Sequence, residues 1–95
     1  MRVEQLEYAA AVVRFGSFRR AAQELQLSQP ALSETVRKLE AELGVDIFDR
    51  QRTGATISER GRDLLPQLLD VIEASERLRH TAAALAESSG DAIRR

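Results

Sequence analysis

Six side chains between positions 29 and 38 are the part of this 95-residue chain best equipped for chemistry: Gln29, Pro30, Ser33, Glu34, Arg37 and Lys38. Spaced by threes and fours, they would share one side of a helix. An amide, a hydroxyl, a carboxylate and two cations suit hydrogen bonding and ion pairing; with no partnered base or nucleophile among them, they do not suit bond cleavage. The mixture differs from the alternating Glu and Lys of a merely solvated face. Taken alone it leaves two readings open, a wetted surface or a recognition surface.

The rest of the chain offers little for catalysis. Its single histidine, His80, sits among Arg79, Thr81 and alanines and reads as a solvated residue. There is no cysteine, hence no disulfide or thiolate metal site; there is also no zinc-type cluster, no glycine-rich phosphate loop and no base paired with the serines. Glu40 and Glu42 lie two apart and so do not converge on one site of a helix. The expectation is a protein that is not an enzyme and holds no metal or other cofactor.

The elements that would position the six residues are legible in turn. Leu32, Val36, Leu39 and Leu43 form an apolar stripe opposite the polar one, Ser28 is placed to cap the helix start, Pro30 lies in its first turn, and Gly44 marks its end. This predicts a helix over 28–43. Before it, Leu6, Ala9, Ala10 and Val13 define a helix from Val3 to Phe15 that stops at Gly16. Ser17 then caps a helix of about two turns, with Phe18, Ala21, Ala22 and Leu25 on its inner face. Only Gln26 and Leu27 separate this short helix from the cap at Ser28. Two short helices so joined predict a helix-turn-helix, read either as a DNA-reading pair or as an ordinary helical hairpin.

Beyond Gly44, Val45 is placed to close the helix end, and Ile47, Phe48 and Ile57 flank the polar stretch DRQRTGAT. This predicts a small hairpin. Its arginines, Arg50 and Arg52, would suit a wing against a nucleic-acid backbone; the other reading is a solvated loop. Ser58 caps a final helix with no clear stop before Ser88. Along it Leu64, Leu68, Val71, Ser75, Leu78, Ala82 and Leu85 alternate by four and three, a seam that wants a partner helix, and Leu65, Leu69 and Ile72 make a second stripe. A domain this small has little surface to cover the turns beyond Asp70, which favours dimerisation. Pro66 removes one backbone donor within the helix and predicts a kink near Leu65. The terminal SSGDAIRR reads as a linker.

Composition narrows the class. Aromatics make up 4% of the residues and prolines number two, which with abundant Ala and Leu predicts a mainly α fold. The formal net charge of −1 is unlike a nonspecific polycation. Yet Arg19, Arg20, Arg37, Lys38, Arg50 and Arg52 gather in the middle of the chain, while Glu4, Glu7, Asp70, Glu73 and Glu76 lie towards its flanks. Met1 to Phe18 is interrupted by Arg2, Glu4, Glu7 and Arg14 and gives no export signal, and no apolar run is long enough to span a membrane. A soluble, cytoplasmic protein is expected.

Assembled in order, these pieces resemble the LysR-type transcriptional regulators. The resemblance is carried by Leu6; by Gly16, Ser17, Phe18, Ala21, Ala22 and Leu25; by SQPALS from Ser28 to Ser33; by LEAELG from Leu39 to Gly44; by IFDR from Ile47 to Arg50; and by Ile57, Ser58 and Gly61. It covers Val3 to Leu85, and the ordered set is specific. It implies a winged helix-turn-helix over 1–58, a linker and dimerisation helix over 59–88, and at 89–95 the start of a hinge to an effector-binding domain beyond this chain. Such a protein binds double-stranded DNA as a homodimer or higher homo-oligomer and senses a small-molecule effector only through that further domain.

By the same resemblance Gln29, Pro30, Ser33 and Glu34 face base edges. Glutamine can bond adenine, serine can donate or accept, and proline can touch a thymine methyl. Ser17, Arg19, Arg37 and Lys38 become phosphate contacts, Arg50 and Arg52 belong to the wing, and Leu64, Leu68, Val71, Leu78, Ala82 and Leu85 serve dimerisation. Two positions depart from the family: many relatives carry a basic residue in place of Glu34, and a wing arginine in place of Thr53. A carboxylate there repels phosphate but accepts a hydrogen bond from cytosine N4. The alternative from another class is a helical protein-interaction or dimerisation module without DNA binding, which the near-neutral charge supports.

Overall fold

The computed structural model of the protein describes residues 1–50 and 55–89. Four helices run in the order α1 (Val3–Phe15), α2 (Phe18–Leu25), α3 (Gln29–Leu43) and α4 (Glu59–Ser89), with β1 (Phe48–Asp49) and β2 (Thr56–Ile57) between the last two. The two strands pair antiparallel, Phe48 opposite Ile57 and Asp49 opposite Thr56. The molecule is thus mainly α, a helix-turn-helix with a two-stranded wing and a long helix. Arg52 and Thr53 lie outside the described residues, as does the expected hinge from residue 90 onwards.

The helix ends follow the local chemistry. Gly16 closes α1 in the left-handed region at φ 77°, its amide bonded to Val12 O at 2.9 Å; Gly44 closes α3 at φ 73°, bonded to Glu40 O at 2.8 Å. At these two joints glycine avoids the Cβ penalty of a positive φ. Ser17 Oγ accepts from Arg20 N at 2.9 Å and Ser28 Oγ from Ala31 N at 3.1 Å, so each hydroxyl satisfies an orphan amide of the helix it starts. Between α2 and α3 the chain reverses at Gln26, itself left-handed at φ 59°, while Leu27 N reaches back to Ala22 O at 2.9 Å.

The core sits where α1 crosses α2, α3 and α4, built from Leu6, Ala9, Val12, Ala21, Ala22, Leu32, Val36, Leu39, Ile47, Phe48 and Leu68. Two expectations shift. On α1 the buried residues are Leu6, Ala9 and Val12, with Ala10 and Val13 only partly buried, because the faces packed by α2, α3 and α4 centre the stripe on Val12. On α3 the stripe ends at Leu39, and Leu43, in the last turn, remains 37% exposed.

The base of α4 belongs to this core. Ser58 joins it to the wing root: its amide donates to Ile47 O at 2.8 Å, its hydroxyl donates to Asp46 O at 2.6 Å and accepts from Gly61 N at 2.9 Å. Gly61 is buried there, and a Cβ on it would lie 2.3 Å from Ile47 O, so only glycine lets α4 approach the backbone just before β1 this closely. Leu68 is 7% exposed within the single chain, and Leu64, Leu65 and Ile72 pack against the same core. Leu68 is thus already buried, and Leu64 partly buried, within the single chain. The helix continues through Pro66 to Ser89 and carries the molecule to a long dimension of 55 Å.

Candidate nucleic-acid interface

The polar side of α3 stands clear of the core. Gln29, Pro30, Glu34, Arg37 and Lys38 are exposed and Ser33 is half-buried, while Leu32, Val36 and Leu39 on the other side are fully buried. From Gln29 to Arg37 the row spans about 12 Å of helix axis. Three fully buried anchors fix the rotation of α3 and thereby the direction in which those six residues project. Thr35, on the flank, turns its hydroxyl back to Ala31 O at 3.0 Å.

At the start of α2 lie Ser17, its cap, and Arg19. Ser17 Oγ uses an acceptor lone pair on the α2 cap, leaving its proton free to donate outward. Arg19 is exposed. Arg20 and Arg14 lie over the Phe15 ring at 5.9 and 5.4 Å from its centroid, a cation–π arrangement at the α1–α2 corner. The sequence thus places the polar row of α3 and the Ser17–Arg20 turn in neighbouring segments, and the packing of α1 against both helices holds them together.

The wing root holds the feature that helix periodicity alone did not disclose. Glu40 is 4% exposed, and its carboxylate accepts from Ile47 N at 2.7 Å and Phe48 N at 3.1 Å through Oε2, and from Arg50 Nη1 at 2.5 Å through Oε1. The Arg50 guanidinium lies 5.2 Å from the Phe18 ring centroid, and Phe18 meets Phe48 edge-on at 5.4 Å. Arg50 therefore does not project as a free wing cation; it turns inward. The reading of Glu40 as half of an unconvergent pair with Glu42 missed this. Its signal was present: Glu40 lies four residues after Val36 on the buried stripe, and a carboxylate there requires donors. Arg37 borders the same depression as Arg50, along with Asp46, Phe48 and Asp49.

Away from this face, burial, reinforced by Glu4, to which it donates at 3.2 Å, raises the Tyr8 phenol above its ordinary 10.0. His80 and Arg79 are exposed on α4, with Arg79 reaching Ser75 Oγ at 2.9 Å and Glu7 at 3.7 Å. Among the described residues no group of three or more His, Cys, Asp or Glu is placed to hold a metal ion, and no helix is long and apolar enough to cross a membrane. Of the remaining seam residues, Ser75 is half-buried and Val71, Leu78, Ala82 and Leu85 are exposed, Leu78 at 70% and Leu85 at 62%.

A family model described as a bacterial regulatory helix-turn-helix protein of the lysR family matches residues 3–62. Among curated relatives, the HTH-type transcriptional regulator TfdT of Cupriavidus pinatubonensis is 37% identical over 91 residues, covering 93% of this chain and 40% of TfdT. An HTH-type transcriptional regulator of Bacillus subtilis, YcgK, is 38% identical over 78 residues, covering 82% of this chain and 24% of its own length. The chain therefore spans well under half the length of these relatives. Among solved structures, the complex of the CbnR DNA-binding domain with DNA superposes with a TM-score of 0.82 at 31% identity, covering 90% of this chain and 99% of that one. Full-length OxyR from Pseudomonas aeruginosa gives 0.82 at 36% identity over 88% of this chain and 28% of its own. Matching the family model over most of its length and carrying the same winged helix-turn-helix, this chain belongs to the lysR family of bacterial helix-turn-helix regulators.

Proposed function

We propose that the chain is a sequence-specific DNA-binding domain that engages a two-fold related pair of half-sites as a dimer, with α3 in the major groove. The observation that carries this is the division of α3 into a fully buried apolar side and an exposed side of Gln29, Pro30, Ser33, Glu34, Arg37 and Lys38. In this reading the first four meet base edges, Glu34 accepting from cytosine N4, while Arg37, Lys38, Ser17 and Arg19 hold phosphates. Of the two wing arginines, Arg52 is the phosphate contact, because Arg50 Nη1 is already held by Glu40.

The dimer forms through the outer half of α4, where Leu78, Ala82 and Leu85 with Val71 leave an apolar stripe uncovered. Two copies so joined fix the spacing of their α3 helices, and half-sites separated by a whole number of DNA turns follow from that spacing. Relatives such as TfdT are more than twice as long as the aligned region. A small-molecule effector acts on this domain only from such a further portion, and the whole regulator works in the bacterial cytoplasm.

Selection from random duplex DNA, followed by a salt titration of the enriched site, tests the reading. Enrichment of a two-fold related sequence is expected, with the logarithm of the binding constant falling by about 0.9 per phosphate contact for each unit in log salt. Absence of duplex binding at low salt would instead favour a dimerisation module, the function that the net charge of −1 supports.

A further inference from the structure

We infer that Arg50 is a positioning residue: with Glu40 it latches the first wing strand onto α3, and it does so without touching phosphate. The inference rests on the DNA-binding reading of α3. Three donors converge on the Glu40 carboxylate, and all three come from β1 or the residues next to it: the amides of Ile47 and Phe48, and Arg50 Nη1. A carboxylate this buried is stable as an anion only when it is paired and hydrogen-bonded. The guanidinium also lies over Phe18 at the start of α2, and the Phe18 ring meets Phe48 of β1. One planar cation thus joins α2, α3 and β1.

Reaching a phosphate would require Arg50 to abandon both Glu40 and Phe18. That movement would strand a buried anion with only two amide donors and uncover an aromatic face, while a phosphate offers no more than an equivalent ion pair in a wetter place. The paired position is therefore retained in the complex. Because α3 and β1 are held by one carboxylate, loosening it lets the wing drift relative to the groove-facing row. The cost is loss of affinity for every sequence, with the number of phosphate contacts unchanged.

The test measures binding of the 95-residue chain to the duplex enriched by the wild-type protein, over a range of salt, for Glu40→Gln, Arg50→Gln and the double variant. A latch predicts that each single variant loses affinity about tenfold, that the slope against log salt stays at the wild-type value, and that the double variant is no worse than either single. A slope shallower by about 0.9 per contact for Arg50→Gln would identify Arg50 as a phosphate ligand and overturn the inference. Wild-type affinity for Glu40→Gln would overturn it equally. Should Arg50→Gln not fold, Arg50→Lys keeps the charge: a phosphate contact survives in it, whereas a latch built on a planar guanidinium loses affinity at unchanged slope. Failure of the wild-type chain to bind any duplex would strike the DNA-binding reading itself and is seen before any variant is made.

Discussion

The near and far halves of α4 are one continuous helix with one repeating apolar pattern, yet they end in opposite conditions. Leu64, Leu65, Leu68 and Ile72 pack into the core beneath α1, and Gly61 sits against the Ile47 backbone. Past Ile72 the same helix carries Leu78, Ala82 and Leu85 into solvent. The apolar pattern is thus consistent with burial throughout, but the chain supplies its own cover only for the near half. Periodicity reports that a face wants burial; it does not report who buries it.

Truncation separates the halves most sharply. Leu68→Ala in the near half should cost about 3 kcal/mol of folding stability, while Leu85→Ala, measured at dilutions where the chain is monomeric, should stay within about 0.5 kcal/mol. Comparable losses in denaturant titrations of the two variants would mean that the far half is covered within the single chain. Gly61→Ala comes next: a methyl at 2.3 Å from a backbone oxygen forces α4 away from β1, and about 3 kcal/mol is the expected penalty, read as a lowered denaturation midpoint. Retained stability there would show that the near half docks more loosely than described.

Smaller in folding energy but decisive for the far half is the pair Leu78→Glu and Leu85→Glu. Sedimentation equilibrium should show the dimer dissociating about tenfold more readily or worse for each, with the far-ultraviolet circular dichroism of the monomer preserved. A dimer surviving both changes would remove α4 from the interface. The least effect is expected at the α2–α3 turn, where Gln26 stands at φ 59°; Gln26→Gly should raise stability by about 0.5 kcal/mol, since relief of the left-handed strain slightly exceeds the extra chain entropy. Destabilisation by that substitution would show that the glutamine side chain, and not backbone geometry, sets the turn.

Most of the fold was legible because it is set by neighbours close in sequence. Ser17, Ser28, Gly16 and Gly44 mark helix ends through bonds that span three or four residues, and α1 ends, α2 begins and α3 begins and ends where those residues placed them. What was not legible depends on partners farther away. Val12, and not Val13, joins Leu6 and Ala9 in the core because three helices pack on α1; Leu43 stays exposed because the core ends below it; Leu68 is already buried within the single chain. Glu40 is the instructive case. Its donors lie seven, eight and ten residues downstream, beyond the reach of helix spacing, although a carboxylate on a buried stripe was itself the warning. At the candidate interface the six residues of α3 were found on one exposed side as their spacing required, while the inward turn of Arg50 emerged only from the packed structure.

The central claim is that the exposed side of α3 reads bases, and base preference tests it most directly. Selections from random duplex DNA with the wild-type chain, with Gln29→Ala and with Ser33→Ala should give enriched sequences in which each variant loses discrimination at its own position, by roughly 1 to 3 kcal/mol per good contact removed. Arg37→Ala should weaken all sequences alike and leave the preference intact. An unchanged enriched sequence for both Gln29→Ala and Ser33→Ala would contradict the account.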